Sequence, residues 1–244
     1  MPEKSKLNSA MGFLLGDILG SPFEGFSHTV AAEGYLKKIG SYTDDTLMYL
    51  SVLKAYSKHQ PLCKTLIEYY SESRGYGRRM DAVLSQKKCV PSNSWGNGAA
   101  VRTAALVLFD RATLKDAVDF CKVIHIHPES IACSKVVFLA VRKALRKNLD
   151  LSECWEVLGQ RHELSHYYMG IRAGESVPPA LIVFEEPRSF NETLQKAILL
   201  GGDTDSIGAL AGALAGAYYG VPREFSSILE KENRMIKEMV KYLP

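Results

Sequence analysis

The sequence predicts an all-α protein. Apolar residues recur at helical spacing along most of the chain, and short turns rich in Gly, Pro and Asn separate those runs. No alternation of apolar and polar residues is long enough for a credible strand. The 244 residues are 46% hydrophobic and 23% charged, an ordinary globular composition, and residues 1–244 read as one compact domain without linker, repeat or low-complexity tract. A net charge of +3 is too slight to argue for nucleic acid or a membrane surface, so neither is expected as a partner.

The first helix is expected over Asn8 to Gly20. Lys4 and Lys6 precede its apolar run as they would in a secretory leader, but Asp17 interrupts that run and the helical pattern continues, so a leader is rejected. No apolar stretch reaches the roughly 18 residues of a membrane span. Gly12, Gly16 and Gly20 share one helix face. The late helix through Tyr219 repeats that spacing with Gly208, Gly212 and Gly216. Each interior Gly costs about 1 kcal/mol relative to Ala. Both ridges are therefore expected against neighbouring helices at close approach, and each is a candidate partner for the other.

Further helical patterns cover Leu47–Tyr56 and Cys63–Glu72, and Pro128 sits at a first-turn position. Pro178-Pro179 is expected to open the helix that runs through Phe184. Arg142–Lys147 and Glu230–Lys241 read as solvated, charged helix faces. The five cysteines (Cys63, Cys89, Cys121, Cys133, Cys154) are odd in number and form no C-x-x-C, so reduced thiols in a cytoplasmic protein are expected.

The chain is organised around Gly201-Gly202-Asp203-Thr204-Asp205-Ser206, a glycine turn at the mouth of a helix that is apolar nearly all round. Such a helix belongs in the interior, so the acidic turn rides on a rigid, buried element. Asp-x-Asp lets two oxygen donors converge on one hard cation. Asp at a helix start is also a common cap that complements the helix dipole. Against a cap alone stands a second, remote copy, Thr43-Asp44-Asp45-Thr46, which opens another apolar helix. Two such turns point to a shared metal.

Four more segments are candidates for chemistry. Glu24 lies in a loop between Phe23 and Phe26, where partial burial would raise its pKa. Arg74-Gly75-Tyr76-Gly77-Arg78-Arg79 reads as a solvated turn or as a ligand clamp, with Tyr76 offering a stacking face. Ser94-Trp95-Gly96-Asn97-Gly98 leads into a helix whose first N–H groups can meet a phosphate, and it lacks the ending of a Walker A loop. His125 and His127, at a helix junction, read as substrate contacts or structural groups rather than as a metal pair. One motif points elsewhere. His162-Glu163-Leu164-Ser165-His166 fits H-E-x-x-H, with Glu185 or Glu186 as a third ligand, so a zinc metalloprotease is the runner-up. No sheet upstream would build its substrate cleft, and Gly159 and Gly170 leave its helix little room.

Taken in chain order, Gly16-Asp17 with Glu24, Thr43 to Thr46, Gly75 to Gly77, Trp95 to Arg102, His125 to Pro128 and Gly201 to Ser206 resemble the motifs of ADP-ribosylglycohydrolases. The resemblance spans about Asn8 to Gly220, and the paired acidic turns are its most specific part. It implies an orthogonal helical bundle with a central cleft holding two Mg2+ or Mn2+ ions. It implies Thr43, Asp44, Asp45, Asp203, Asp205 and Ser206 as metal ligands, with Ser206 where Thr is frequent. By the same resemblance, Ser94, Trp95, Gly96, Asn97, Gly98 and His125 contact ADP-ribose, joined by Gly75, Tyr76 and Gly77.

The implied reaction removes ADP-ribose from a protein modified at arginine or serine, by cleavage at the ribose anomeric carbon. Glu24, Asp44 and Asp205 are the candidate catalytic carboxylates, placed to orient water or pass a proton to the leaving group. Oxygen-only ligands favour magnesium or manganese over zinc. The expected partners are an ADP-ribosylated protein and the ADP-ribose product, and the expected state is a monomer. A non-catalytic structural relative, as lens crystallins of this family are, is a further alternative, against which the full ligand set argues.

Overall fold

The computed structural model describes residues 1–26, 38–186 and 189–244. Among these the chain is all-α, with thirteen helices and no strand. They are α1 (Glu3–Gly20), α2 (Asp44–Ser57), α3 (Leu62–Tyr69), α4 (Arg78–Ser85), α5 (Gly98–Leu106), α6 (Leu114–Lys122) and α7 (Pro128–Leu145). After them come α8 (Ser152–Leu158), α9 (Ala173–Glu185), α10 (Phe190–Leu199), α11 (Thr204–Tyr219), α12 (Ser226–Lys231) and α13 (Asn233–Val240).

The centre is the pair α1 and α11. Residues Thr204 to Ala217 of α11 are all buried, as an all-round apolar helix requires. The two glycine ridges meet face to face: a Cβ on Gly12 would lie 2.1 Å from the Gly212 carbonyl oxygen, and one on Gly16 would lie 1.9 Å from that of Gly208. At the two ends of the contact, Gly216 abuts Asn8 and Gly20 abuts Thr204. Only hydrogen fits there. Ser9 Oγ and Thr204 Oγ1 add hydrogen bonds across the pair, to the carbonyls of Ala213 (3.0 Å) and Gly20 (2.8 Å). Helices α7, α9 and α10 pack around α11, while α2 packs against α3 and α5.

Several sequence expectations need correcting. Helix α9 starts at Ala173, and Pro178 and Pro179 lie inside it. Its start is fixed by Glu175, whose Oε2 accepts the Arg172 N–H at 3.3 Å. The charged stretch Glu230–Lys241 is two helices, broken at Glu232. The Arg142–Lys147 stretch is partly engaged in packing: Arg142 donates to the Ala112 carbonyl at 2.6 Å, and Lys147 Nζ donates to the Ala217 carbonyl at 2.8 Å. That places a cation at the negative end of α11. Cys63 and Cys89 form a disulfide, so they are not reduced thiols, while Cys121, Cys133 and Cys154 are free and buried. No described helix is long and apolar enough to cross a membrane.

Candidate active site

The start of α2 is capped from another helix. Asp17, buried in α1, accepts the Thr43 N–H at 2.9 Å and the Thr46 N–H at 3.2 Å through Oδ2. Its Oδ1 takes the Thr43 N–H as well, at 3.1 Å. Thr43 Oγ1 in turn accepts the Asp45 N–H at 3.2 Å. These bonds satisfy donors that a helix start leaves free and fix the direction of Asp44 and Asp45.

The opposite wall is the glycine turn before α11. Gly201 and Gly202 both have φ of 73°, in the left-handed region, and a Cβ on Gly202 would lie 1.9 Å from the Met169 carbonyl oxygen. Asp203 N–H donates to that same oxygen at 2.8 Å. Gly25 N–H bonds the Gly202 carbonyl at 2.7 Å, and Gly202 N–H bonds that of Phe26 at 3.0 Å, which brings Glu24 to the turn. One ligand oxygen each from Glu24, Asp203 and Asp205 lie within 4.8 Å of one another. Ser206 Oγ donates to Asp45 Oδ2 at 2.7 Å, so the two acidic turns touch across 161 residues of chain. Asn97 Nδ2 bridges Asp203 Oδ2 (2.6 Å) and Ser176 Oγ (3.1 Å).

Negative charge accumulates here. Among the described residues, none of these carboxylates is ion-paired with Lys or Arg. Burial, and then the charge of Asp205, pushes Asp17 up to about 7. Burial and neighbouring carboxylates likewise hold Asp44, Asp45 and Asp203 well above the usual carboxylate range. The adjacent Asp205 charge, followed by burial, raises Glu24. Asp205 Oδ1 is buried without a hydrogen-bond partner. Buried carboxylates in this state are paired, protonated or bound to a cation.

A cavity of about 430 Å3 opens over the acidic turns. Its far side is the loop from Ser92 to Asn97, held by short bridges on both flanks. Ser92 N–H donates to the Ile124 carbonyl (2.8 Å) and Ile126 N–H to that of Ser92 (2.9 Å), while Asn97 N–H donates to Ile171 (3.0 Å) and Ala173 N–H to Trp95 (2.9 Å). The first N–H groups of α5 follow directly. Burial lowers the His125 ring to about 3, which makes it neutral at physiological pH. His127 does a separate job: its Nδ1 accepts the Glu129 N–H at 3.2 Å and caps α7.

The structure brings Glu24, Asp44, Asp45, Asp203, Asp205 and Ser206 together with Gly75, Gly77, Ser94, Trp95, Gly96, Asn97, Gly98 and His125 around this cavity. Thr43 stands just behind Asp44 and Asp45, and the Tyr76 ring packs on Tyr70, with centroids 5.1 Å apart, instead of lining the cavity. Sequence reasoning did not assign Asp17 a role, nor place Met48 and Ile171 in the wall, while Arg78 and Arg79 line it as the clamp reading of their turn expects. An aspartate inside an apolar helix was the available signal for Asp17, because a buried charge needs partners. The H-E-x-x-H stretch is not an α-helix: His162 and Glu163 are irregular, and a 3-10 turn covers Leu164–His166. The side chain of His166 lies outside the described residues. Glu185 meanwhile accepts from Trp155 Nε1 at 2.9 Å and pairs with Arg161 at 3.2 Å, and Glu186 pairs with Lys196 at 3.2 Å.

A family model described as ADP-ribosylglycohydrolase matches residues 4–243. The chain belongs to that family. As an ADP-ribosylglycohydrolase family member it is a glycosyl hydrolase, and its relatives carry hydrolase names. It is 28% identical to ADP-ribosylhydrolase ARH3 of Homo sapiens, over 86% of this chain and 84% of that one. It is 25% identical to the ADP-ribosyl-[dinitrogen reductase] glycohydrolase of Rhodospirillum rubrum, over 96% and 92% of the two chains. With the ADP-ribosylarginine hydrolase Tri1 of Pseudomonas putida the identity is 24%, over 86% and 69%. A solved ADP-ribosylglycohydrolase-related protein complex shares the fold, with a TM-score of 0.79 at 23% identity, covering 99% of this chain and 97% of that one.

Proposed function

We propose that this protein is a cation-dependent hydrolase that releases ADP-ribose from modified protein side chains. The observation that carries the reading is the contact between the two acidic turns, beside a cavity large enough for a nucleotide sugar. The orphaned Asp205 Oδ1 and the mutual repulsion of the carboxylates fit a hard cation, and oxygen-only donors fit magnesium or manganese. Thr43, Asp44, Asp45, Asp203, Asp205 and Ser206 would hold two such ions. When bound, they supply charge stabilisation at the ribose and lower the pKa of a nearby water.

The chain's own residues do the rest. The N–H groups at the start of α5, with Arg78 and Arg79, receive the pyrophosphate. Trp95 offers an aromatic face for the adenine, and neutral His125 offers a ring nitrogen to a ribose hydroxyl. Glu24, Asp44 and Asp205 flank the position where the anomeric carbon would sit. A carboxyl there can give a proton to the leaving atom as its bond to carbon breaks, or orient the attacking water. The reading takes residues 1–244 as one domain, acting as a monomer. The test is to incubate the protein with an ADP-ribosylated protein in Mg2+ or Mn2+ and then in EDTA. Release of ADP-ribose that EDTA stops, and that Asp45→Asn lacks, supports the reading, while release indifferent to EDTA contradicts it.

A further inference from the structure

The Cys63–Cys89 disulfide ties together two parts of the cavity wall. Cys63 lies in the first turn of α3, and α3 is fixed to α2. Thr65 Oγ1 donates to the Ser51 carbonyl at 2.9 Å, Ser51 Oγ donates to the Thr65 carbonyl at 3.2 Å, and Leu62 and Leu66 are buried beside them. Helix α2 in turn presents Asp44 and Asp45 at its start. Cys89 lies beyond the end of α4, just before the loop that begins at Ser92. The span closed by the bond, over a sequence separation of 26, contains Gly75, Gly77, Arg78, Arg79 and Met80, all of which line the cavity.

Among the described residues, the stretch from Gly75 to Cys89 has few other ties. Met80 and Leu84 are the buried residues of α4. Asp81 Oδ1 accepts from Tyr70 Oη at 2.5 Å and the Tyr76 ring packs on Tyr70, but Tyr70 belongs to the same closed span. Arg79 Nη1 reaches Ser92 Oγ at 3.4 Å, a long contact. The Lys87 and Lys88 N–H groups bond back to the Leu84 and Val83 carbonyls, within the span again. A helix of eight residues with so little burial does not hold its place unaided. The loop from Ser92 to Asn97 differs, because backbone bonds to Ile124, Ile126, Ile171 and Ala173 fix it on their own. The disulfide is therefore the main clamp on α4 and its two arginines.

The bond is also placed to react. Both cysteines are half-buried, and exposed Lys64, Lys87 and Lys88 lie beside them in the chain, a setting that draws in an anionic thiolate. Burial raises the thiols of Cys121, Cys133 and Cys154, which keeps them out of exchange. We propose that the Cys63–Cys89 pair is a redox switch on nucleotide binding: the disulfide holds Arg78 and Arg79 at the cavity, and reduction by a dithiol releases them. The inference rests on the hydrolase reading above and adds regulation of the same site. In the step, one thiolate of the dithiol bonds to a cysteine sulfur as the S–S bond breaks. The second thiolate then displaces that sulfur. Two electrons and two protons pass to the pair, and the products are two cysteine thiols and the cyclic disulfide of the reductant.

The test titrates the full chain in Mg2+ with ADP-ribose by calorimetry. It is run on the oxidised protein, after reduction by dithiothreitol without denaturant and removal of the excess, and again after reoxidation. Affinity should fall roughly tenfold on reduction, about the loss of one charge-assisted contact, and return on reoxidation. Mn2+ affinity should not change, because Asp44, Asp45, Asp203 and Asp205 lie outside the closed span. Cys63→Ser/Cys89→Ser should bind ADP-ribose as the reduced protein does, with or without the dithiol. A bond that resists the dithiol in the folded protein, an affinity that reduction leaves unmoved or reoxidation fails to restore, or a loss of Mn2+ binding alongside that of ADP-ribose overturns the proposal. If neither form binds ADP-ribose, the hydrolase reading fails and hydrogen exchange judges the switch alone. Faster exchange of the α4 amides on reduction, with α11 unchanged, upholds the release of this wall, and equal protection of α4 in both forms overturns it.

Discussion

Substituting Gly16 by Ala tests the packing that places the site. The added Cβ would lie 1.9 Å from the Gly208 carbonyl oxygen, 2.3 Å from its carbon and 2.7 Å from Ala209 N. All three are backbone atoms of a buried helix and cannot swing aside. Reaching ordinary contact requires α1 and α11 to part by roughly 1.5 Å, and overpacking of a rigid core costs about 1–3 kcal/mol. With both partners being backbone, the upper end applies. The better helix propensity of Ala returns up to about 1 kcal/mol. The net loss is about 2 kcal/mol, which for a chain of this size lowers Tm by roughly 4–8 °C. Calorimetry on the metal-free protein reads this directly. Gly77→Ala is the control, because φ there is −55° and nothing lies within 4 Å of the new Cβ. A Gly16→Ala variant that melts at or above the parent temperature would refute the ridge-to-ridge account.

Three further outcomes are expected. Asp17→Asn turns an acceptor into a donor facing the Thr43 or Thr46 N–H, so it should cost about 2 kcal/mol in thermal unfolding and weaken Mn2+ binding measured by calorimetry. Metal-free protein should lose stability as pH rises from about 4 to about 7. Asp17 goes from an ordinary 3.8 to about 7 on folding, and Asp44, Asp45 and Asp203 are raised too, so the folded state binds the extra protons and its advantage fades as they leave. Melting curves across that range would show a flat or opposite slope if the carboxylates were not crowded. Reduction of the Cys63–Cys89 bond, which closes a loop over a sequence separation of 26, should lower stability by about 3 kcal/mol in urea titration, with Cys63→Ser/Cys89→Ser unchanged by reductant.

Much of the fold was legible because it rests on local pattern. Glycines at every fourth position of an apolar helix have few uses beyond close packing, and both ridges proved to be one contact. The acidic turns were legible for a similar reason, since paired carboxylates before a buried helix are costly without a purpose. What escaped the sequence depends on distant partners. Asp17 reads as an oddity in α1 until the start of α2 lies against it. The cysteine spacing says nothing about which pair the fold brings to a Cα separation of 5.7 Å. The start of α9 is fixed by Glu175 and by the Trp95 and Ile171 backbone, so the favoured place of proline in a first turn misleads there. H-E-x-x-H misleads for the opposite reason: three matched residues fix no helix.

The central claim is that Asp44 and Asp45 share a hard cation with Asp203 and Asp205. Calorimetric titration of metal-free protein with Mn2+, repeated on Asp45→Asn and on Asp205→Asn, tests it most directly. The account predicts saturable binding that either variant weakens by at least an order of magnitude, since each removes a charged donor from one shared site. Undiminished binding in both variants, or no binding by the parent, would contradict it.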